Sequence, residues 1–426
     1  MKHILLVEPE KGKTWGDNNQ YVGLLRLASY YKNSGNTIEY VVSPSIPNKS
    51  PDIICVTSMF TYWYKNVWKA IEFYKMMFPK ARVLLGGIYA TICPDHAKKS
   101  GADEVIIGQH PGAKEFPPDP SILPYEQDFG YLFTSYGCNF SCTYCATHIL
   151  HKDGIIQLPI ERVIKEIEFV KSRGFKKIRF GDDNILFNSS NHINKICKEI
   201  KKKKLNVEIS ITGGMSAKNF TQETAYLMVE AGVKNISFAL ESISPEVRKK
   251  MGRGKNTNEQ DLLQALEFSD RAGLKRSDMN VFFIIGLPYQ TRDDMIKTMI
   301  FLIRNGVWAY PQRFTPIPHT VDWKRMKLES VDYEDLNYMN FVAKQDNFTE
   351  EDLDEIRSIA RFFSVGKRYT AGLGFDWMNN DSKISKEFKS RIFKDDILIS
   401  KQLDRNPRSS KRHDFDGGFF EIGPKE

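Results

Sequence analysis

The run Tyr136-Gly137-Cys138-Asn139-Phe140-Ser141-Cys142-Thr143-Tyr144-Cys145 sets three thiols in a Cys-x3-Cys-x2-Cys spacing with no fourth cysteine nearby. Thiolate sulfur is soft, so three thiols on one short loop suit iron or zinc. A four-iron cluster held by only three cysteines keeps one iron open to an outside ligand, and can do chemistry closed to a fully ligated electron-transfer cluster. The competing reading is a Cys3His zinc site completed by His148, although zinc motifs usually set one Cys-x2-Cys pair against a second, distant pair. A disulfide framework is weaker still. Six cysteines in 426 residues, with no apolar leader after Met1-Lys2-His3, lead us to expect a cytoplasmic protein. Cys55, Cys93 and Cys197 are scattered and read as buried free thiols.

A chain of 426 residues exceeds one typical core and predicts two or three domains. Its 41% hydrophobic and 27% charged content fits a globular protein, and no uninterrupted apolar stretch reaches bilayer length, so no membrane partner is expected. The net charge of +8 is densest at Lys201 to Lys204, which close an expected helix where cations suit the negative end of the dipole. No aromatic residue interleaves that run, which disfavours nucleic acid as a partner.

Apolar strands at 3–7, 37–42, 52–57, 82–85 and 104–107 alternate with helical patterns at 21–31 and 67–77. That alternation predicts a doubly wound, Rossmann-like parallel sheet over residues 1–110. Ligands of such sheets sit at the strands' carboxyl ends, where Glu8-Pro9-Glu10, Thr57-Ser58-Met59 and Gly86-Gly87-Ile88-Tyr89 stand. A Pro-rich linker fills 111–128. Over 129–322, strands are expected at 132–135, 177–180, 207–211, 235–240, 280–285 and 312–315, with helices between them such as 160–172 and 223–231. Six strand-helix units make a partial (β/α)6 barrel, whose chemistry gathers at the strands' C-terminal ends. A mainly helical segment at 323–394, including a helix at 350–369, and a polar tail or lid at 395–426 complete this α/β chain. Trp308, Tyr310, Phe375 and Trp377 are candidate pocket aromatics.

The cysteine spacing is followed, at successive strand ends, by Gly181-Asp182-Asp183-Asn184, Glu241-Ser242 with Arg253-Gly254, Gly286-Leu287-Pro288 and Pro316-Ile317-Pro318-His319-Thr320. In this order the motifs resemble the radical S-adenosylmethionine (SAM) superfamily. Residues 1–110 are similar to the cobalamin-binding domain of one large subgroup, on Tyr21-Val22-Gly23-Leu24-Leu25-Arg26, Pro51-Asp52-Ile53-Ile54, Thr57-Ser58, Leu84-Leu85-Gly86-Gly87 and Gly101-Ala102-Asp103-Glu104. Here the loop 8–18 has no histidine, so a corrin would bind without a protein ligand to its cobalt.

The resemblance implies a [4Fe-4S] cluster on Cys138, Cys142 and Cys145, with SAM on the fourth iron. It puts Tyr144 near the adenine, Glu241 on the ribose with Ser242 and Arg253 beside it, and Ile285 and Gly286 against the base. Asp182 or Asp183 would meet the SAM amino group. Strand alternation lets only one face inward, and Asp182 is preferred, leaving Asp183 a catalytic candidate. Two acids at a strand end would equally serve as a helix cap. His319 stands where relatives carry glycine and is a second catalytic candidate. Ser58, Gly86 and Gly87 would line a cobalamin site, cobalamin being a further candidate cofactor.

The implied reaction is reductive cleavage of SAM and functionalisation of an unactivated C-H bond in a small-molecule or peptide substrate. Methyl transfer is expected if cobalamin binds, and cyclisation, oxidation or rearrangement without it. The electron would come from an external flavodoxin- or ferredoxin-type reductant. A non-catalytic iron-sulfur or zinc module is the rival of a different class. An RNA-modifying methylthiotransferase-like enzyme is disfavoured for want of a second cysteine set.

Overall fold

The computed structural model describes residues 1–9, 20–254, 257–337, 341, 343, 346–365 and 382–392. Glu10 and most of the loop 8–18, Phe375, Trp377 and the expected tail at 395–426 lie outside the described residues.

The N-terminal apolar runs become β1 (His3–Glu8), β2 (Thr37–Val42), β3 (Ile53–Val56), β4 (Arg82–Leu85) and β5 (Glu104–Val105). Between them lie α1 (Val22–Asn33), α2 (Tyr64–Met77), α3 (Ile88–Ile92) and α4 (Pro94–Ala97). All five strands pair in parallel in the order β2-β1-β3-β4-β5. A parallel sheet is covered on both faces, which is why Ile4, Leu5, Leu6 and Val7 are buried on both sides of β1. β5 is shorter than the expected 104–107, because only Leu84 and Leu85 pair with it.

The second sheet runs β6 (Phe129–Leu132), β9 (Lys177–Phe180), β10 (Glu208–Ile211), β11 (Val233–Glu241), β12 (Met279–Ile285) and β13 (Trp308–Arg313). These strands are adjacent in sequence order and parallel throughout, the succession of a partial barrel. A short antiparallel pair, β7 (Ser135–Tyr136) with β8 (Ile156–Gln157), stands at the start of the cysteine loop. The first strand therefore ends at Leu132 rather than 135, since the amides of Thr134 and Ser135 bond to the Asp182 carboxylate instead of a neighbouring strand. The last begins at Trp308 rather than 312, so Trp308 and Tyr310 are half-buried strand residues.

Helices α5 (Thr147–Leu150), α6 (Ile160–Ser172), α7 (Ile193–Lys202), α8 (Gln222–Glu230), α9 (Pro245–Lys250), α10 (Glu259–Ala272), α11 (Arg292–Arg304) and α12 (Val321–Arg325) alternate with these strands or follow them. α7 shows why they form where they do: Ile193, Ile196, Cys197 and Ile200 recur at i, i+3, i+4 and i+7 and are all buried. Capping boxes start α10 at Asn258 and α11 at Thr291. Beyond the sheet, α13 (Glu350–Val365) packs along β13, tied by Arg313 to Glu350 at 3.0 Å, and α14 (Lys383–Ile392) lies against α11 and α13.

The two sheets meet through a buried ion pair. Arg26 of α1 forks onto Glu166 of α6 with both contacts at 2.8 Å, and neither residue is more than 5% exposed. Gln20 adds contacts to the Phe129 carbonyl at 2.6 Å and the Tyr131 amide at 3.0 Å. The basic run of α7 is neutralised on the surface, Lys201 pairing with Glu230, Lys202 with Glu199 and Lys203 with Glu168. Among the described residues no helix is long and apolar enough to cross a membrane.

Candidate functional site

Gly137 opens the cysteine loop with φ 85°, where a Cβ would sit 2.2 Å from the Gly154 carbonyl oxygen, so the chain turns there against β8's approach. Asp183 then closes the loop from both ends. Its Oδ2 accepts from the Gly137 amide at 2.9 Å, and its Oδ1 accepts from Thr147 Oγ1 at 3.2 Å. Thr147 Oγ1 in turn lies 3.2 Å from Cys145 Sγ, and His151 Nε2 stands 3.6 Å from Asp183. The middle of the loop is held from below: Thr143 receives a hydrogen bond from the Asp322 amide and donates its hydroxyl to the Asp322 carboxylate at 2.7 Å. The Thr143 amide donates to the Met251 carbonyl at 3.0 Å.

Three motifs that are distant in sequence converge on Cys142. Arg253 places Nη1 3.6 Å from Cys142 Sγ and donates through Nη2 to the Ala239 carbonyl at 3.0 Å. Tyr144 donates its hydroxyl to Glu241 at 3.1 Å. Burial opposes the Arg253 charge, but Tyr144, Glu241 and Cys142 around it hold its pKa above the usual value. Burial raises the Glu241 carboxyl and pushes the Cys138 thiol up to about 11, with Cys142 and Cys145 adding repulsion. Burial also raises Cys145.

These residues fit a cluster. Burial and neighbouring charge oppose ionisation of Cys138 and Cys145, a cost that bound metal would offset. The buried Arg253 supplies a cation at one of them and keeps its Nε without a hydrogen-bond partner. Among the described residues no three His, Cys, Asp or Glu side chains are drawn together as one metal ion would need, and His148 is exposed. In a cluster each cysteine would meet a different iron.

Other expected contacts are rearranged. Asp182 does not face this loop: it is 3% exposed, and its carboxylate accepts from the amides and hydroxyls of both Thr134 and Ser135. Asp183 takes the loop-facing place, because adjacent residues at a strand end point to opposite sides. The same correction applies on β12. Ile285 is fully buried in the large core with Phe283, whereas Ile284 packs with Tyr144, Val247, Met251 and Phe314. At Gly286, with φ 88°, the space a Cβ would take is closed by Leu353 at 3.1 Å rather than left to a ligand. Ser242 is buried and its hydroxyl accepts from the Ser244 amide. His319 is exposed with φ 70°, a left-handed conformation that glycine adopts more readily.

At the first sheet, Ser58, Gly86 and Gly87 meet at the C-terminal ends of β3 and β4. Ser58 donates its hydroxyl to the Gly86 carbonyl at 2.6 Å and accepts from the Ala90 amide at 3.2 Å. A Cβ on Gly87 would fall 2.1 Å from the Ser58 carbonyl oxygen. The Ser58 hydroxyl is thus held within the turn, while Gly86 and Gly87 stay part-exposed at the strand ends. A cavity of about 380 Å³ lined by Glu208, Lys234, Asn280 and Trp308 lies at the opposite, N-terminal ends of β10 to β13, away from the cysteines.

Residues 132–302, from the end of β6 to α11, match the sequence model of the Radical SAM superfamily. The chain carries a radical SAM domain. An uncharacterized methyltransferase of Pyrococcus horikoshii is 28% identical to it over 251 residues, covering 56% of this chain and 53% of the relative, so the chain spans about half that protein's length. The bacteriochlorophyllide d C-12(1)-methyltransferase of Chlorobaculum tepidum is 25% identical over 318 residues, 65% of this chain and 66% of the relative. Among solved structures, the radical SAM methyltransferase TsrM of Kitasatospora setae superposes with a TM-score of 0.63 over 76% of each chain at 14% identity, a likeness of fold. Its coverage extends beyond the radical SAM domain.

Asp322 and Ile284 were not singled out in the sequence, and Asn184 was given no role within its motif. Asn184 donates to the Asn139 side chain at 2.7 Å inside the cysteine loop. Only Ile284 had a signal, the alternation along its strand.

Proposed function

We propose that this protein is a radical SAM enzyme that functionalises an unactivated C-H bond, with methylation of a small-molecule or peptide substrate as the outcome. The observation that carries the reading is that Cys142, Tyr144 and Glu241, the last at the C-terminal end of β11, gather around the buried Arg253. The methyltransferase relatives favour methylation over other radical outcomes.

Cys138, Cys142 and Cys145 would hold the cluster, and Glu241 and Tyr144 would bind SAM. A [4Fe-4S] cluster held by these cysteines would supply the one-electron reduction that cleaves SAM. Arg253 sets a buried positive charge 3.6 Å from Cys142 Sγ, where it would balance the negative charge of a bound cluster. Asp183 and Asp322 fix the loop's ends and middle, so that the open position keeps one orientation. The apolar wall of Ile284, Val247, Met251 and Phe314 beside Tyr144 excludes water from the radical's path.

A second reading, SAM radical chemistry without cobalamin, is favoured by the lack of a histidine in the loop 8–18 and by the Ser58 hydroxyl being held on the Gly86 carbonyl. The test is anaerobic reconstitution with iron, sulfide, reductant and SAM. Release of 5′-deoxyadenosine by the wild type and its loss in Cys142→Ala are expected, and equal release from both would sink the assignment. The visible absorption of protein grown with the vitamin separates the two readings.

A further inference from the structure

The cysteine loop reaches the surface beside an unneutralised basic patch. Ser141 and Gly252 are both exposed and in contact, a Cβ on Gly252 lying 2.9 Å from the Ser141 carbonyl oxygen. Two helix ends meet over this point. The Lys250 carbonyl at the end of α9 accepts from Arg325 Nη1 of α12 at 3.0 Å, and Thr143 Oγ1 approaches the same carbonyl at 3.5 Å. Lys249, Lys250, Lys324 and Lys327 flank the junction and are all exposed.

What marks them is that four stand together. Several lysines elsewhere on this surface are paired with carboxylates, as at Lys75 with Asp103, Lys177 with Asp128, Lys198 with Glu223 and Lys203 with Glu168. Among the described residues Lys249, Lys250, Lys324 and Lys327 form no ion pair, and Lys250 touches only the Tyr289 ring at 5.9 Å. Within residues 245–254 and 321–330 the exposed carboxylates are Glu246 and Glu329, and Asp322 is buried under Arg325. The patch is therefore strongly positive where Ser141, next to Cys142, reaches the surface.

We infer that this junction of α9 and α12 is the docking surface for a small acidic one-electron carrier protein. The inference rests on the proposed radical SAM chemistry, which needs one electron delivered from outside. Electron-transfer contacts are small and transient, so they draw on charge complementarity for speed and orientation more than on buried area. A positive rim around Ser141 steers an acidic carrier to the exposed residue next to Cys142.

The test follows cluster reduction by stopped flow in reconstituted holoenzyme, with two donors: reduced flavodoxin and the reduced methyl viologen cation. With wild type, the flavodoxin rate should fall by about tenfold or more from low to high salt, as steered encounters do. The viologen rate should not fall. Lys249→Glu/Lys250→Glu/Lys324→Glu/Lys327→Glu should be reduced by flavodoxin at least about tenfold more slowly at low salt, and by viologen as fast as wild type or faster. A wild-type flavodoxin rate in the variant overturns the inference. So does an equal loss with both donors, or a salt-independent wild-type rate, which needs no variant. If wild type reduced by viologen fails to cleave SAM, the proposed function falls instead.

Discussion

Replacing Asp182 tests the idea that this buried carboxylate builds the entry to the cysteine loop rather than binding a cofactor. Its carboxylate serves the amides and hydroxyls of Thr134 and Ser135. Asp182→Ala leaves two buried amides without acceptors, at about 1–3 kcal/mol each, or about 2–6 kcal/mol in all. The hydroxyls can re-aim, and His192 already lies 3.1 Å from Thr134 Oγ1. The effect also depends on pH. Burial, only partly offset by these hydrogen bonds, raises the Asp182 carboxyl from its usual value near 3.8 to about 6. Between those values the folded protein keeps a proton that the unfolded chain has lost. The contribution is thus fully present below about pH 4 and disappears as pH rises through 6. Its size is about 3 kcal/mol at 1.36 kcal/mol per tenfold change in proton affinity. Asp182→Asn cannot titrate, so wild type should lose about 3 kcal/mol relative to this variant between pH 4 and 7. Anaerobic urea denaturation across that range reads the difference, and iron content after reconstitution reports on the loop. A difference that stays constant or grows with pH, or full iron loading and undiminished stability in Asp182→Ala, would refute the reasoning.

Two further perturbations examine how the scaffold is held. Arg26→Met should cost about 3 kcal/mol by stranding Glu166 in the buried contact between the sheets, the lower end of the usual range because Arg162 still reaches Glu166 at 3.1 Å. Arg26→Met/Glu166→Leu should recover most of that loss, and equal losses in single and double variants by urea denaturation would count against a buried pair. Gly87→Ala should cost more than about 3 kcal/mol, combining a left-handed φ of 100° with a Cβ 2.1 Å from a carbonyl, while Gly273→Ala, at φ 90° in open space, should cost about 1–2 kcal/mol. Similar urea midpoints for the two would contradict the close approach of β3 and β4.

Much of the scaffold was legible. The helix at 160–172 and the strand at 177–180 appear with the expected bounds, because each carries a clear 3.6- or 2-residue apolar rhythm. The order of strands in the second sheet follows from parallel strands joined by right-handed helical crossovers. Errors fall at strand ends. A slip of one residue exchanges faces, and it exchanged Asp182 for Asp183 and Ile285 for Ile284. Nothing in the local pattern shows where a strand stops pairing, so the role of Asp182 in ending β6 was hidden until both segments were in place.

By itself the sequence determined the reactive group and its kind of scaffold: three thiols on one loop after a strand, and motifs spaced to reach successive strand ends. That information is local, carried by residue type and period. Only the tertiary structure decided which neighbours serve the cysteines. Arg253 reaches Cys142 across 111 residues, Asp322 reaches Thr143 across 179, and the Ser58 hydroxyl turns onto the Gly86 carbonyl. Such contacts depend on how separate elements pack, and one side chain can face only one of the surfaces that its sequence would permit.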